Sequence, residues 1–148
     1  MFKKNKSVTF SIIATVIVLA GFFVMSLFAP MVLDLFFNLV KRPIETYYLI
    51  VATYYVCVVP VYVMLFFLLK LLFNINRSEL FTRQNTRYLS IISNCFLVKA
   101  LLCIPSSFFF ISMVIVMAAA IMLWLLLRVV KNILQTAILL KDENDLTI

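Results

Sequence analysis

Long apolar runs broken by short polar stretches set the pattern of this chain. Residues 8–29, 47–69 and 108–127 are almost free of charge, and 88–104 is apolar with polar positions set into it. A helical run of about 20 residues rises about 30 Å, the thickness of a bilayer's hydrocarbon core. The pattern therefore predicts an all-α polytopic membrane protein, residues 1–148 forming one membrane domain with four transmembrane helices.

The first run follows Lys3, Lys4 and Lys6 and resembles a secretory signal. Its length argues otherwise, because 22 residues make about 33 Å of helix and a signal core is usually about 7 to 15 residues. Ala29, with Leu27 before it and Pro30 after it, is a poor cleavage context, so an uncleaved first span is expected. Pro30 is expected to end that helix. Beyond it, residues 31–40 place Val32, Leu35, Phe36 and Leu39 on one face beside Asp34 and Asn38, the pattern of a short helix on the outer interface. In the second span Tyr47 and Tyr48 fall at the outer headgroups, and Pro60 should bend the helix.

The stretch 70–87 is too polar for lipid and reads as a cytoplasmic loop. Thr82 is the expected N-cap of a helix starting at Arg83 and running into the third span, which should end near Cys103 because Pro105 disfavours helix at Ile104. Pro105, Ser106 and Ser107 make a tight outer turn. The fourth span has Ala118, Ala119 and Ala120 at its middle, where small side chains let helices approach closely. Trp124 lies near its inner end, and residues 128–148 read as a cytoplasmic helix with an acidic tail.

Composition and charge sharpen this. The chain is 66% hydrophobic and only 13% charged, so water is not its main solvent. The segments drawn as cytoplasmic carry Lys3, Lys4, Lys6, Lys70, Arg77, Arg83, Arg87, Arg128, Lys131 and Lys141, ten cations against Lys41 and Arg42 outside. That excess orients the chain with both termini in the cytoplasm. It also accounts for the net charge of +7 without direct nucleic-acid binding. The third span is the most marginal. Nine Leu, Ile, Val or Phe residues between Leu89 and Ile104 contribute roughly −3 to −5 kcal/mol to insertion, and one central Lys costs about 2.5 to 3.5 kcal/mol. Paired with the fourth span, it can turn its polar groups toward protein.

Candidate chemistry is sparse. There is no histidine, which removes the commonest general base and metal ligand. Cys57, Cys95 and Cys103 lie in apolar segments with no CxxC pairing and read as buried reduced thiols. No catalytic residue, cofactor or metal site is expected, and the chain does not read as an enzyme. Lys99 is the one charge well inside a span; its stem is expected to snorkel outward to a headgroup, Asp34 or Glu45, the alternative being a functional intramembrane charge. Arg83, Arg87, Ser90 and Asn94 share one stripe of the third helix, expected to face the bundle as polar glue or as the mouth of a cavity. Past the fourth span, Val130, Ile133, Leu134, Ala137 and Ile138 oppose Arg128, Lys131, Asn132 and Gln135. That face either packs on the bundle or interface or docks a soluble partner. Asp142, Glu143 and Asp145 oppose the helix macrodipole, so the helix stops before them or they serve something else.

Two stretches, NINRSELFTRQNTRYL at 74–89 and AILLKDENDLTI at 137–148, give the chain a family likeness. With four spans, it resembles an uncharacterised family of bacterial four-helix integral membrane proteins, often encoded beside a small Cro/C1-type helix-turn-helix regulator. The residues carrying the likeness are Phe81, Thr82, Asn85 and Leu89, then Glu143, Asn144, Asp145, Leu146, Thr147 and Ile148. Ser78 stands where the family pattern calls for glycine, leaving the turn there without its usual residue. The resemblance implies a partner and no established activity. The leading expectation is a regulatory membrane protein that sequesters a small DNA-binding regulator through Phe81, Thr82, Asn85, Glu143, Asn144, Asp145 and Leu146. The alternative is a small transport-associated or peptide-immunity protein using Asn94 and Lys99. A homo-oligomer is compatible with either.

Overall fold

The computed structural model describes residues 6–147. Lys3, Lys4 and Ile148 lie outside the described residues. Among those described, every element is helical: α1 Lys6–Val40, α2 Ile44–Asn76, α3 Arg83–Leu102, the short α4 Ile104–Ser107, and α5 Ile111–Leu146. Three of them, α1, α2 and α5, are long and apolar enough to cross a membrane. At 35, 33 and 36 residues they are about 50 to 54 Å long, so each outruns a hydrocarbon core of about 30 Å.

Pro30 does not end the first helix. α1 runs through it to Val40, so no separate interfacial helix forms over 31–40. Proline removes one N–H, leaving the Ser26 carbonyl without its helical donor, a loss that neighbouring helices let a spanning helix tolerate. α2 is likewise continuous through Pro60. The connection between them is short: Lys41 takes a left-handed φ of 50° and Pro43 caps α2. α1 packs on α2 alone among the helices, through Phe37 against Tyr47 and Ser26 Oγ at 3.3 Å from the Tyr62 hydroxyl.

α3 is the least apolar of the four long helices, and it sits at the centre, packed against both α2 and α5. Its buried side is Asn85, Thr86, Leu89, Ile92, Ser93 and Ala100. The stripe of Arg83, Arg87, Ser90 and Asn94 does not face the bundle; Ser90 is half-buried and the other three are exposed. The buried side carries the small residues Ser93 and Ala100 and the hydrogen-bonded Asn85, groups that allow close approach or that lipid cannot satisfy, and these set the rotation. Leu71 of α2 joins Leu89 and Ile92 in the core, with Leu127 and Leu134 of α5 packed against it. Ser93 Oγ donates to the Trp124 carbonyl at 3.3 Å, tying α3 to the α5 backbone.

At the far end, the expected turn at Pro105–Ser107 is one short helix, α4. Ser106, fully buried, lies 2.6 Å from the Thr53 hydroxyl of α2. Of the three central alanines only Ala120 is buried.

Candidate functional site

The two sequence stretches singled out above come to the same end of the bundle, beyond Lys70 and Arg128. α2 stops there by backbone geometry. Ser78 adopts a φ of 64°, its N–H bonds the Ile75 carbonyl at 3.0 Å, and the Glu79 N–H reaches back to the Asn74 carbonyl at 3.0 Å. This is the left-handed helix stop that glycine usually makes, formed here on a serine. Thr82, extended at φ −122° and ψ 144°, caps α3 as expected, its hydroxyl accepting the Asn85 N–H at 3.4 Å.

Asn85 locks the connection. It is wholly buried; its Oδ1 accepts from Asn74 Nδ2 at 2.9 Å, and its Nδ2 donates to the carbonyls of Glu79 at 2.6 Å and Leu80 at 2.9 Å. Asn85 thus supports the loop from inside and cannot itself touch a partner, which corrects its place among the expected contact residues. Asn74 completes the lock, and with the two asparagines eleven positions apart and on different helices, no local periodicity marks them as a pair.

α5 passes beside this loop. Ile138 is buried, and together with Gln135 and Leu139 it forms, with Arg83 and Thr86 of α3, a cleft of about 280 Å³. Lys141 Nζ stands 5.9 Å from the centre of the Phe81 ring, within range of a cation–π contact. Phe81 is 45% exposed and Leu80 38%. On α5, Leu134 and Ile138 turn inward, while Val129, Val130, Ile133 and Leu140 remain exposed. The helix does not stop before the acidic cluster. It continues to Leu146, carrying Asp142, Glu143 and Asp145, all exposed, past the level of the loop. The opposition of these acids to the macrodipole costs about 0.3 to 1 kcal/mol each at an exposed helix end. Phe81 therefore meets Lys141, and Glu143, Asn144, Asp145 and Leu146 follow about 3 to 8 Å further along the α5 axis.

Asn94 and Lys99 of α3 are separate from this end and from each other. Asn94 borders a groove with Val59, Pro60, Val63 and Cys95. Lys99 lines a different cavity, shared with Thr53, Cys57, Cys103 and Met113. There the thiols of Cys57 and Cys103, free and buried, stand 3.9 Å apart, a juxtaposition invisible in a sequence that separates them by 46 residues.

A family model described as "Protein of unknown function (DUF2975)" matches residues 38–148, covering α2 to α5 and leaving out nearly all of α1. No curated protein matches, and no solved structure does.

Proposed function

We propose, from the premise that the chain belongs to the DUF2975 family of proteins of unknown function, that it is a binding protein of the bacterial plasma membrane. It anchors a small helix-turn-helix regulator at the cytoplasmic face. In this reading α1, α2, α3 and α5 all cross the bilayer, both termini are cytoplasmic, and the loop end lies inside the cell. The excess of Lys and Arg on that side supports the orientation.

The observation that carries the reading is the loop end itself. A rigidly capped connection presents Phe81 beside Lys141, and α5 extends three exposed acids beyond it. An aromatic anchor next to a negative helix end is complementary to the basic surface of a DNA-binding domain. The contact set is then Phe81, the half-buried Thr82, Glu143, Asn144, Asp145 and Leu146, with Asn85 holding the loop in shape. No step in this role needs catalysis or a cofactor.

The test is membrane co-fractionation of a helix-turn-helix protein encoded beside this chain. Deleting residues 142–148 should move that protein to the soluble fraction, and retention in the membrane would refute the reading. The topology is tested apart from it: Arg77→Cys should resist an impermeant thiol reagent outside intact cells, and labelling there would invert the proposed arrangement.

A second reading, a transport-associated or peptide-immunity protein, draws on the intramembrane cavity that holds Lys99. Loss of an ion or peptide phenotype in Lys99→Leu would favour it, and wild-type behaviour would count against it.

A further inference from the structure

Cys57 and Cys103 meet inside the bundle from different elements. Cys57 lies on α2, and Cys103 sits at the junction where α3 ends and α4 begins. Both are buried, both are free thiols, and their sulfurs stand 3.9 Å apart. A second contact holds them in place. Thr53, four residues before Cys57, lies 2.6 Å from the hydroxyl of Ser106, three residues after Cys103, so α4 is already fixed against α2 one turn from the thiols. The fold itself therefore sets the sulfur separation.

Two sulfurs that share one metal ion, each at about 2.3 Å, stand about 3.8 Å apart at a tetrahedral angle and about 4.6 Å apart when collinear with it. The observed separation of 3.9 Å falls inside that range. The donor set then selects the ion. Structural zinc takes four ligands, and among the described residues no group of three His, Cys, Asp or Glu side chains could hold a metal. The cavity of about 200 Å³ that both cysteines line supplies no carboxylate either. Two soft sulfurs without a hard partner suit a cuprous ion.

We infer that Cys57 and Cys103 form a binding site for a single Cu(I) ion. The ion replaces the proton of the S–H that one sulfur directs at the other, so one proton leaves for each Cu(I) bound. The net charge of the site is unchanged by that exchange, which matters in an apolar interior where an uncompensated charge is costly. The inference rests on this thiol pair and is independent of the docking surface at the loop end.

The test is a titration of the full chain, reduced and anaerobic in detergent micelles, with Cu(I) in competition with the chelator bicinchoninate. Wild type should retain a single Cu(I) per chain. Cys57→Ser and Cys103→Ser should each weaken retention by more than about 100-fold, beyond the loss that an outer-shell partner causes, and Cys95→Ser should leave it unchanged. Should a serine variant fail to fold, alkylation of the wild-type chain by a lipid-soluble maleimide gives the same reading. Cu(I) buffered at about ten times its Kd should slow modification of Cys57 and Cys103 together, about tenfold, and spare Cys95, which borders a separate groove. Zn(II) in place of Cu(I) should give no protection. Failure of the wild type to hold Cu(I) against the chelator, undiminished retention in either serine variant, equal slowing at Cys95, or equal protection by Zn(II) would overturn the inference.

Discussion

Replacing Asn85 with alanine removes the lock between α2, the connecting loop and α3. Three side-chain hydrogen bonds disappear, to Asn74, Glu79 and Leu80. Each is worth about 1 kcal/mol net, and the Asn74 amide left behind in a half-buried setting adds a desolvation penalty of about 1 kcal/mol, for a loss of about 3 to 4 kcal/mol. The exposed loop carbonyls recover water, which keeps the figure at the low end for a fully buried group. Because about 1.4 kcal/mol is a factor of ten, local opening of the loop should rise about 10²-fold to 10³-fold. Limited trypsin digestion of the detergent-solubilised chain, read at Arg77 and Arg83, follows that opening when reclosure outruns cleavage. Gln84→Ala is the control: Gln84 is exposed and bonds only the Tyr88 hydroxyl at 2.8 Å, so its loss should stay within about 0.5 kcal/mol. Asn85→Asp should be nearly as damaging as the alanine, since a carboxylate cannot donate to the two carbonyls. Cleavage of Asn85→Ala within about threefold of wild type would refute the idea that this side chain holds the loop.

Ser78→Gly should stabilise the same loop by about 0.5 to 1 kcal/mol, because a side chain at φ 64° is strained and glycine is not; slower trypsin cleavage at Arg77 is the expected result. Ala120→Leu should cost about 1 to 3 kcal/mol by overpacking a buried position, while Ala119→Leu, on the exposed side, should be silent in thermal unfolding in micelles. A double-mutant cycle with Thr53→Val and Ser106→Ala should give a coupling of about 0.6 kcal/mol, with about 1.7 kcal/mol as its ceiling, since the two hydroxyls are 2.6 Å apart within the bundle. Zero coupling would mean that the pair does not hold α4 to α2.

Hydropathy alone made the helical class and three spanning helices legible, and the Thr82 cap and the start of α3 followed from residue type. Other features were out of reach for identifiable reasons. Continuity through Pro30 depends on a neighbouring helix, which local propensity does not contain. The rotation of α3 is not legible from residue type, which points the polar stripe at the bundle; Leu89, Ile92 and Ala100 take that face instead, and Asn94 and the arginines lie outside. Asn85 was singled out by resemblance, but its role rests on Asn74, a partner on another helix. The acidic cluster leaves open whether the helix stops before it, because its cost is visible in the sequence and the length of α5 behind it is not; α5 runs on to Leu146.

Lipid explains which residues specify the packing. Apolar side chains gain little by leaving acyl chains for protein, so bulk hydrophobicity does not choose one helix arrangement over another. Choice falls to groups that allow close approach or that lipid cannot satisfy. Part of the buried set fits this: Ala29, Ala100, Ala120, Ser93, Ser106 and Thr15 are small, three of them hydroxylated, and they lie buried beside larger side chains such as Phe37, Leu65 and Ile92, while Phe22, Phe23, Phe28, Phe66 and Ile115 remain exposed. Ser93 reaching the Trp124 carbonyl fixes α3 against α5, and Thr53 with Ser106 fixes the far end against α2.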